Sequence, residues 1–323
     1  MKKKNVIVAV DGTGGDNDST RNIVGAALFA LTLYPHLKLI IFGSEKLEDG
    51  LKKARLPDGR WEFRLAPLTI PQDETPRKVL EGYSNAAMRQ AIECVKNQEA
   101  DAMVSSGGTG PLVTLSRHIL GTAGKIRPAL CAKMPSGPGR FSLMLDLGAN
   151  SSFHSSDLYD FARLGSAAAR ISLNIGEPRI SVLNVGSEQG KGNAVVREAR
   201  DLIRENRHLY CQGFIEANRI FSGDTDVIVT DGFTGNVALK AAEGVARIFG
   251  QGAGLRKFFA RLARPEWLMP WQYNGSLLLG VRGIVVKGHA SAAEQSVAVA
   301  MVEAARAAEK NLSAAIEEEL SSS

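Results

Sequence analysis

The sequence predicts an α/β fold: a doubly wound, mostly parallel sheet with helices on both faces. Three observations predict it. Short apolar runs rich in Val and Ile recur along the 323 residues, alternating with segments of helical periodicity. Each run breaks into a polar turn of Gly, Asn, Asp, Ser and Thr, about six times along the chain. The 33 glycines, beside only 6 % aromatic residues, fit tight strand-to-helix turns rather than disorder. No Gly/Ser-rich linker divides the chain, so residues 1–323 are expected to form a single α/β domain, its two lobes sharing one sheet, with a protruding amphipathic segment at about 250–271.

The elements follow in order. Val6–Val10 is the first strand and runs into the turn Asp11-Gly-Thr-Gly-Gly-Asp-Asn17. Residues 21–34 carry Ile23, Ala26, Ala27, Ala30 and Leu31 on one helical face, closed by Pro35. Leu37–Phe42 and Trp61–Ala66 are strands, with a charged stretch over 45–60 between them. Residues 67–84 are expected to be irregular, and a helix then runs to about Asn97. Ala102–Ser105 is a strand before Ser106-Gly-Gly-Thr-Gly-Pro111, whose Pro suits the first turn of a helix. Met134-Pro-Ser-Gly-Pro-Gly139 is expected to be a turn cluster, and Phe141–Leu147 a strand leading to Asp146-Leu-Gly-Ala-Asn150. A helix over about 156–169, a strand over 179–185 and a helix from the turn Gly186–Asn193 to about Asn206 come next. Val227–Val229 is a strand, broken at Asp231-Gly232, and a helix resumes near Val237. Ile284–Lys287 is the last strand, before Gly288-His289 and an Ala- and Glu-rich helix.

Composition excludes several classes. Hydrophobic residues at 44 % and charged residues at 23 % are those of a soluble globular protein. The net charge of +5 is mild and its basic residues are dispersed, so nucleic acid is not an expected partner. Cys94, Cys131 and Cys211 are too few and too widely spaced for a disulfide framework or a zinc site, and are expected to be small buried thiols. No two histidines are spaced as a metal pair, so no metal is expected. The apolar run after Lys2-Lys-Lys4 is shorter than a signal peptide requires, and no stretch reaches the ~18 apolar residues of a membrane span. The expected location is the cytoplasm.

The chemistry is expected in the turns. Glycines let backbone N–H groups approach a ligand, and helix N-termini suit anions. Lys191 and Lys287 can neutralise an oxyanion, which describes a site for phosphate or another small anion beside a carbonyl group. Gly186–Asn193 is not a P-loop, because Gly192 stands where Ser or Thr would hold magnesium. The candidates for catalysis are Lys191, Asn193, Asp231 and His289; those for substrate binding are Gly14, Gly15, Thr109, Asn150, Gly235, Asn236 and Lys287. Each has a plainer alternative. Asp231 equally suits a helix cap, Asn150 and Asn236 suit turns, and a lone His289 is often only hydrogen-bonded.

Leu255, Phe258, Phe259 and Leu262 fall at helical spacing, with Arg256, Lys257, Arg261 and Arg264 on the other side and Trp267 and Trp271 beyond. A basic amphipathic helix with nearby Trp suits peripheral contact with an anionic membrane. Docking of an acidic protein and ordinary packing against the chain's own core or a dimer mate are the alternatives.

Four stretches together carry a resemblance: Asp146-Leu-Gly-Ala-Asn150, Gly190-Lys-Gly-Asn193, Asp231-Gly-Phe-Thr-Gly-Asn-Val-Ala-Leu-Lys240 and Gly283-Ile-Val-Val-Lys-Gly-His289. In them the chain resembles the bacterial acyl-ACP:phosphate acyltransferase (PlsX) family, as a diverged member. The resemblance implies a fold akin to isopropylmalate dehydrogenases and phosphate acetyltransferase. It also implies a homodimer at the inner face of the membrane, acyl carrier protein and inorganic phosphate as partners, no cofactor, and synthesis of acyl phosphate for phospholipid assembly. The chain departs from the family pattern at Asn17, where the family has His, and in Ser105-Ser-Gly-Gly-Thr-Gly110, where it has Ser-Ala-Gly-Asn-Thr-Gly. It departs again at Ser152-Phe-His-Ser155 and at Ala194. Two further readings therefore stand beside the first: an acyltransferase with another donor or acceptor, and a non-catalytic protein that binds acyl carrier or membrane.

Overall fold

The computed structural model describes residues 5–15, 19–250, 275–289 and 293–322. The chain clusters into two compact units, Met1–Leu130 with Asn274–Ser323, and Cys131–Tyr273.

The first unit holds strands β1 (Val6–Asp11), β2 (Leu37–Gly43), β3 (Trp61–Leu65), β4 (Ala102–Ser105), β10 (Ser276–Leu279) and β11 (Val285–Lys287), in the spatial order β3-β2-β1-β4-β11-β10. The described pairings are parallel except β10 with β11. Val8, Ala9 and Val10 are all buried, so both faces of β1 are covered, as a parallel sheet requires. The helices of this unit are α1 (Ser19–Leu33), α2 (Glu45–Lys53), α3 (Pro76–Glu81), α4 (Ala87–Lys96), α5 (Thr109–Leu120), α9 (Glu294–Glu309) and α10 (Leu312–Ser322). Helices α1 and α9 pack together, α9 over β1 and β4 and α1 beside β2, and α4 and α5 form a second pair, α4 against β1 and β4 and α5 against β11. The α1–α9 contact is close because its faces are small: Ala26, Ala27, Ala30, Ala298 and Ala305 are fully buried.

The second unit holds β5 (Ala129–Gly137), β6 (Arg140–Leu145), β7 (Arg179–Asn184), β8 (Tyr210–Glu216) and β9 (Val227–Val229), ordered β5-β6-β9-β7-β8. Its helices are α6 (Ser155–Leu173), α7 (Ala194–Glu205) and α8 (Gly232–Gly250). Its strands pair in parallel except β5 with β6, which form a hairpin. Phe161, fully buried on α6, anchors the core of this unit. Arg179, opening β7, reaches Asp226 in a two-pronged pair, Nε to Oδ2 at 2.9 Å and Nη2 to Oδ1 at 2.9 Å.

The doubly wound α/β architecture is therefore the one the periodicity predicts. Several elements differ from expectation, each for a local reason. The charged stretch over 45–60 contains α2, whose Glu45 and Glu48 lie in the first turn and Lys52 and Lys53 in the last, matching the helix dipole. Leu47 and Leu51 give it a buried edge. Within the supposedly irregular 67–84 lies α3, with Pro76 in its first turn. Met134–Gly137 is strand rather than turn; the hairpin absorbs its Pro and Gly in a bulge between Pro135 and Gly137. Strands β8 and β10 carry weak alternation and were not expected. Helix α8 begins at Gly232, before the expected Val237. The expected amphipathic segment, with Leu255, Phe258, Phe259 and Leu262, lies outside the described residues. Among the described residues no helix is long and apolar enough to cross a membrane.

Candidate functional site

In the first unit, parallel register puts Asp11, Ser105 and Lys287 in one row across β1, β4 and β11. All three sit at carboxyl ends of strands, where an α/β sheet presents ligands to helix N-termini. Asp11 is buried, and its charge is met by local donors. Its Oδ1 accepts from Thr13 N at 3.0 Å and Thr13 Oγ1 at 2.9 Å. Its Oδ2 accepts from Ser105 Oγ at 2.6 Å, and Ser105 Oγ in turn accepts from Gly107 N at 3.0 Å. Gly288 N donates to Ser105 O at 2.8 Å, tying the turn after β11 to the turn after β4. The turn after β1 also comes close: a Cβ on Gly14 would lie 2.4 Å from Gly107 N, so only glycine fits there.

One polar atom in this cluster is left over. Ser106 is buried and its Oγ has no hydrogen-bond partner. An unpaired buried hydroxyl costs about 1–3 kcal/mol. A Cβ on Gly288 would lie 2.6 Å from that oxygen, so the hydroxyl faces the bare Cα between Lys287 and His289. Lys287 Nζ donates to Gly288 O.

In the second unit the turns after β6 and β9 interlock. Asp146, fully buried, organises the first of them. Its Oδ1 accepts from Gly148 N at 3.2 Å and Ala149 N at 3.0 Å; its Oδ2 accepts from Asn150 N at 2.9 Å and Asn150 Nδ2 at 3.0 Å. Asp231 caps α8, its Oδ1 accepting from Phe233 N at 3.0 Å and Thr234 N at 2.9 Å. A Cβ on Gly235 would meet Asp146 O at 2.1 Å, and one on Gly232 would meet Asn150 O at 2.4 Å. The turn after β7 is built on Asn184, whose Nδ2 donates to Gly186 O at 3.2 Å and Lys191 O at 3.1 Å. Asn193 caps α7 by accepting from Val196 N at 2.9 Å. Lys191 is exposed, and its ammonium has no carboxylate partner among the described residues.

Comparison with known proteins decides the family. A profile described as "Fatty acid synthesis protein" matches residues 6–315. The chain is 42 % identical over 328 residues to the phosphate acyltransferase of Aeromonas salmonicida, covering 98 % of this chain and 96 % of the relative. It is 39 % identical over 333 residues to that of Vibrio vulnificus, covering 98 % and 97 %. The chain belongs to the phosphate acyltransferase family. Among solved structures it is similar to a phosphotransacetylase from Streptococcus pyogenes, with a TM-score of 0.65 at 17 % identity and 94 % of each chain covered. It is also similar to a EutD phosphotransacetylase from Staphylococcus aureus, with a TM-score of 0.63 at 18 % identity, again over 94 % of each chain. At those identities the likeness shows the fold alone.

Within this phosphate acyltransferase family member, the predicted residues divide by unit. Gly14, Gly15, Thr109, Lys287 and His289 lie on turns or adjoining element ends of the first unit; Asn150, Lys191, Asn193, Asp231, Gly235 and Asn236 lie on turns or in the first turn of a helix of the second. Asn150, Asn193 and Asp231 each spend side-chain atoms on holding a turn or a helix end. Lys191 and Asn236 are exposed, and Thr109 is half-buried. Asp11, Ser105 and Ser106 went unnoticed in the sequence; a strand ending in Asp and another ending in Ser-Ser were the available signal. Phe233, 74 % exposed at the start of α8, and Val237, 53 % exposed one turn later, also went unnoticed. The thiols stand apart from this chemistry: burial pushes Cys131 up to about 12 and Cys94 to about 11, which keeps both as unreactive thiols.

Proposed function

We propose that this chain transfers a fatty acyl group from acyl carrier protein to inorganic phosphate, giving an acyl phosphate for phospholipid synthesis. Full-length identity to relatives named phosphate acyltransferase is the observation that carries the reading. The strand-end turns support it with the donors such a reaction uses: helix N-termini, glycine-lined backbone and the cations Lys191 and Lys287. A phosphate oxygen attacks the thioester carbonyl, a P–O–C linkage forms, the C–S bond breaks, and the carrier leaves as thiolate. Phosphate is already a nucleophile at neutral pH, so no Ser or Cys of the chain has to attack. The protein's work is positioning and stabilisation of the tetrahedral oxyanion.

Lys191 and Asn236 are the proposed contacts to the negatively charged groups in the second unit, with Asn193, Gly235 and Asp231 setting their turns. Thr109, Gly14, Gly15 and Lys287 are the contacts in the first, and His289 the proton carrier. The exposed Phe233 and Val237 offer apolar surface on α8 for the first carbons of the acyl group.

The reading extends to a homodimer that touches anionic membrane through Leu255, Phe258, Phe259 and Leu262. Purified protein, palmitoyl-ACP and phosphate test it, by release of free carrier thiol. Thiol release that needs phosphate and falls at least 100-fold in Lys191→Ala supports the reading. Turnover only with a coenzyme A thioester changes the donor, and binding without turnover rejects the transfer. Liposome binding that survives Phe258→Glu with Phe259→Glu rejects the membrane contact.

A further inference from the structure

We infer that Ser106 is a phosphate-binding residue, and that its hydroxyl, the first-turn amides of α5 and Lys287 together form the anion subsite of the first unit. The inference rests on inorganic phosphate being the acyl acceptor.

Four observations converge on one place. Ser106 is 4 % exposed, and its Oγ is without a hydrogen-bond partner. Its neighbour Ser105 is used on both sides, donating to Asp11 and accepting from Gly107 N. Helix α5 starts three residues later and runs for 12 residues. The amides of Thr109 and Gly110 in its first turn have no partner among the described residues, and no side chain caps that end. The third is steric. The hydroxyl faces Gly288, where a Cβ would come within 2.6 Å of it; a side chain at 288 would fill the space that the bare Cα leaves. The fourth is charge. Lys287 brings an ammonium to the Gly288 carbonyl on the same turn.

The chemistry that satisfies all four is a small tetrahedral oxyanion. It accepts from a hydroxyl, from two amides at the positive end of a helix, and from an ammonium at once. The Ser106 hydroxyl has no hydrogen bond to give up when an oxygen arrives. The carboxylate of Asp11 is already held by Thr13 and Ser105, which spreads its charge over three donors.

The test uses the full-length chain. Calorimetric titration with inorganic phosphate is compared between the wild type and Ser106→Ala. The expected result is a Kd weakened about ten- to a hundredfold, the size of one charge-assisted hydrogen bond. In turnover assays the same variant raises KM for phosphate by a similar factor while KM for acyl carrier protein and Tm stay unchanged. A merely structural serine would instead move Tm and leave phosphate affinity alone. Gly288→Ala, which intrudes on the same space, should weaken phosphate binding in parallel. An unchanged Kd in Ser106→Ala overturns the inference. If the wild type binds phosphate and loses it in Ser106→Ala but makes no acyl phosphate, the subsite stands and the acyl-transfer reading fails.

Discussion

Each unit ends a central strand on a buried aspartate, but the two aspartates leave different surroundings behind. Asp146 in the second unit accepts from the amides of Gly148, Ala149 and Asn150 and from the Asn150 side chain, donors of its own turn within four residues. Asp11 in the first takes three, one of them from Ser105, 94 residues away. The Asp146 turn is closed on itself, with Gly232 and Gly235 packed so tightly against it that a methyl group would collide. The Asp11 cluster is assembled from three strands and has a hydroxyl to spare at Ser106. The contrast teaches that a buried carboxylate at a strand end can serve as scaffold. The binding atoms are then the neighbours it leaves unpaired. On this view Asp231, capping α8, belongs with the scaffold as well.

The comparison breaks if the two aspartates prove energetically alike. Asp146→Ala strands two buried and two part-buried donors and should cost about 4 kcal/mol in urea unfolding. Asp11→Ala should cost about half as much, because only one of its donors, Ser105 Oγ, is buried, against two for Asp146. Equal losses would contradict the distinction. Gly235→Ala sharpens it further: a Cβ 2.1 Å from Asp146 O should destabilise by about 3 kcal/mol, measured as a lowered urea midpoint with an unchanged slope.

A smaller effect comes from the Arg179–Asp226 pair that frames β7 and β9. Burial raises the Asp226 carboxyl, but hydrogen bonds from Arg179 and its charge outweigh that and hold it below the ordinary range. A lowered folded value means the pair stabilises above about pH 4, the unfolded carboxylate value, and the contribution is lost as pH falls through the folded value. Asp226→Asn should cost about 2 kcal/mol at neutral pH, discounted because the Arg179 side chain is 35 % exposed. The gap between variant and wild type should narrow in acid titration followed by circular dichroism. Smallest of all is Ser106→Ala, which removes an unpaired oxygen and should leave Tm unchanged or slightly raised.

The fold was legible because strand runs and their breaking turns are local. Val6–Asp11, Leu37–Gly43 and Val227–Val229 each announce themselves within a few residues. Strands β8 and β10 did not, since their partners supply the order that their own patterns lack. The candidate site was legible in part. Glycine-rich turns and a capping residue such as Asp231 can be named from spacing alone. The hydrogen bond from Ser105 to Asp11 spans 94 residues, and no spacing rule reaches that far. The unpaired state of Ser106 is a property of packing, visible only when every neighbour is in place.

The most direct test of the account is to watch the product form. Phosphorus NMR of the full-length protein with palmitoyl-ACP and inorganic phosphate should show an acyl phosphate resonance growing in step with free carrier thiol. Its initial rate should saturate in phosphate. Thiol release with no acyl phosphate signal, or at a rate independent of phosphate, would contradict it.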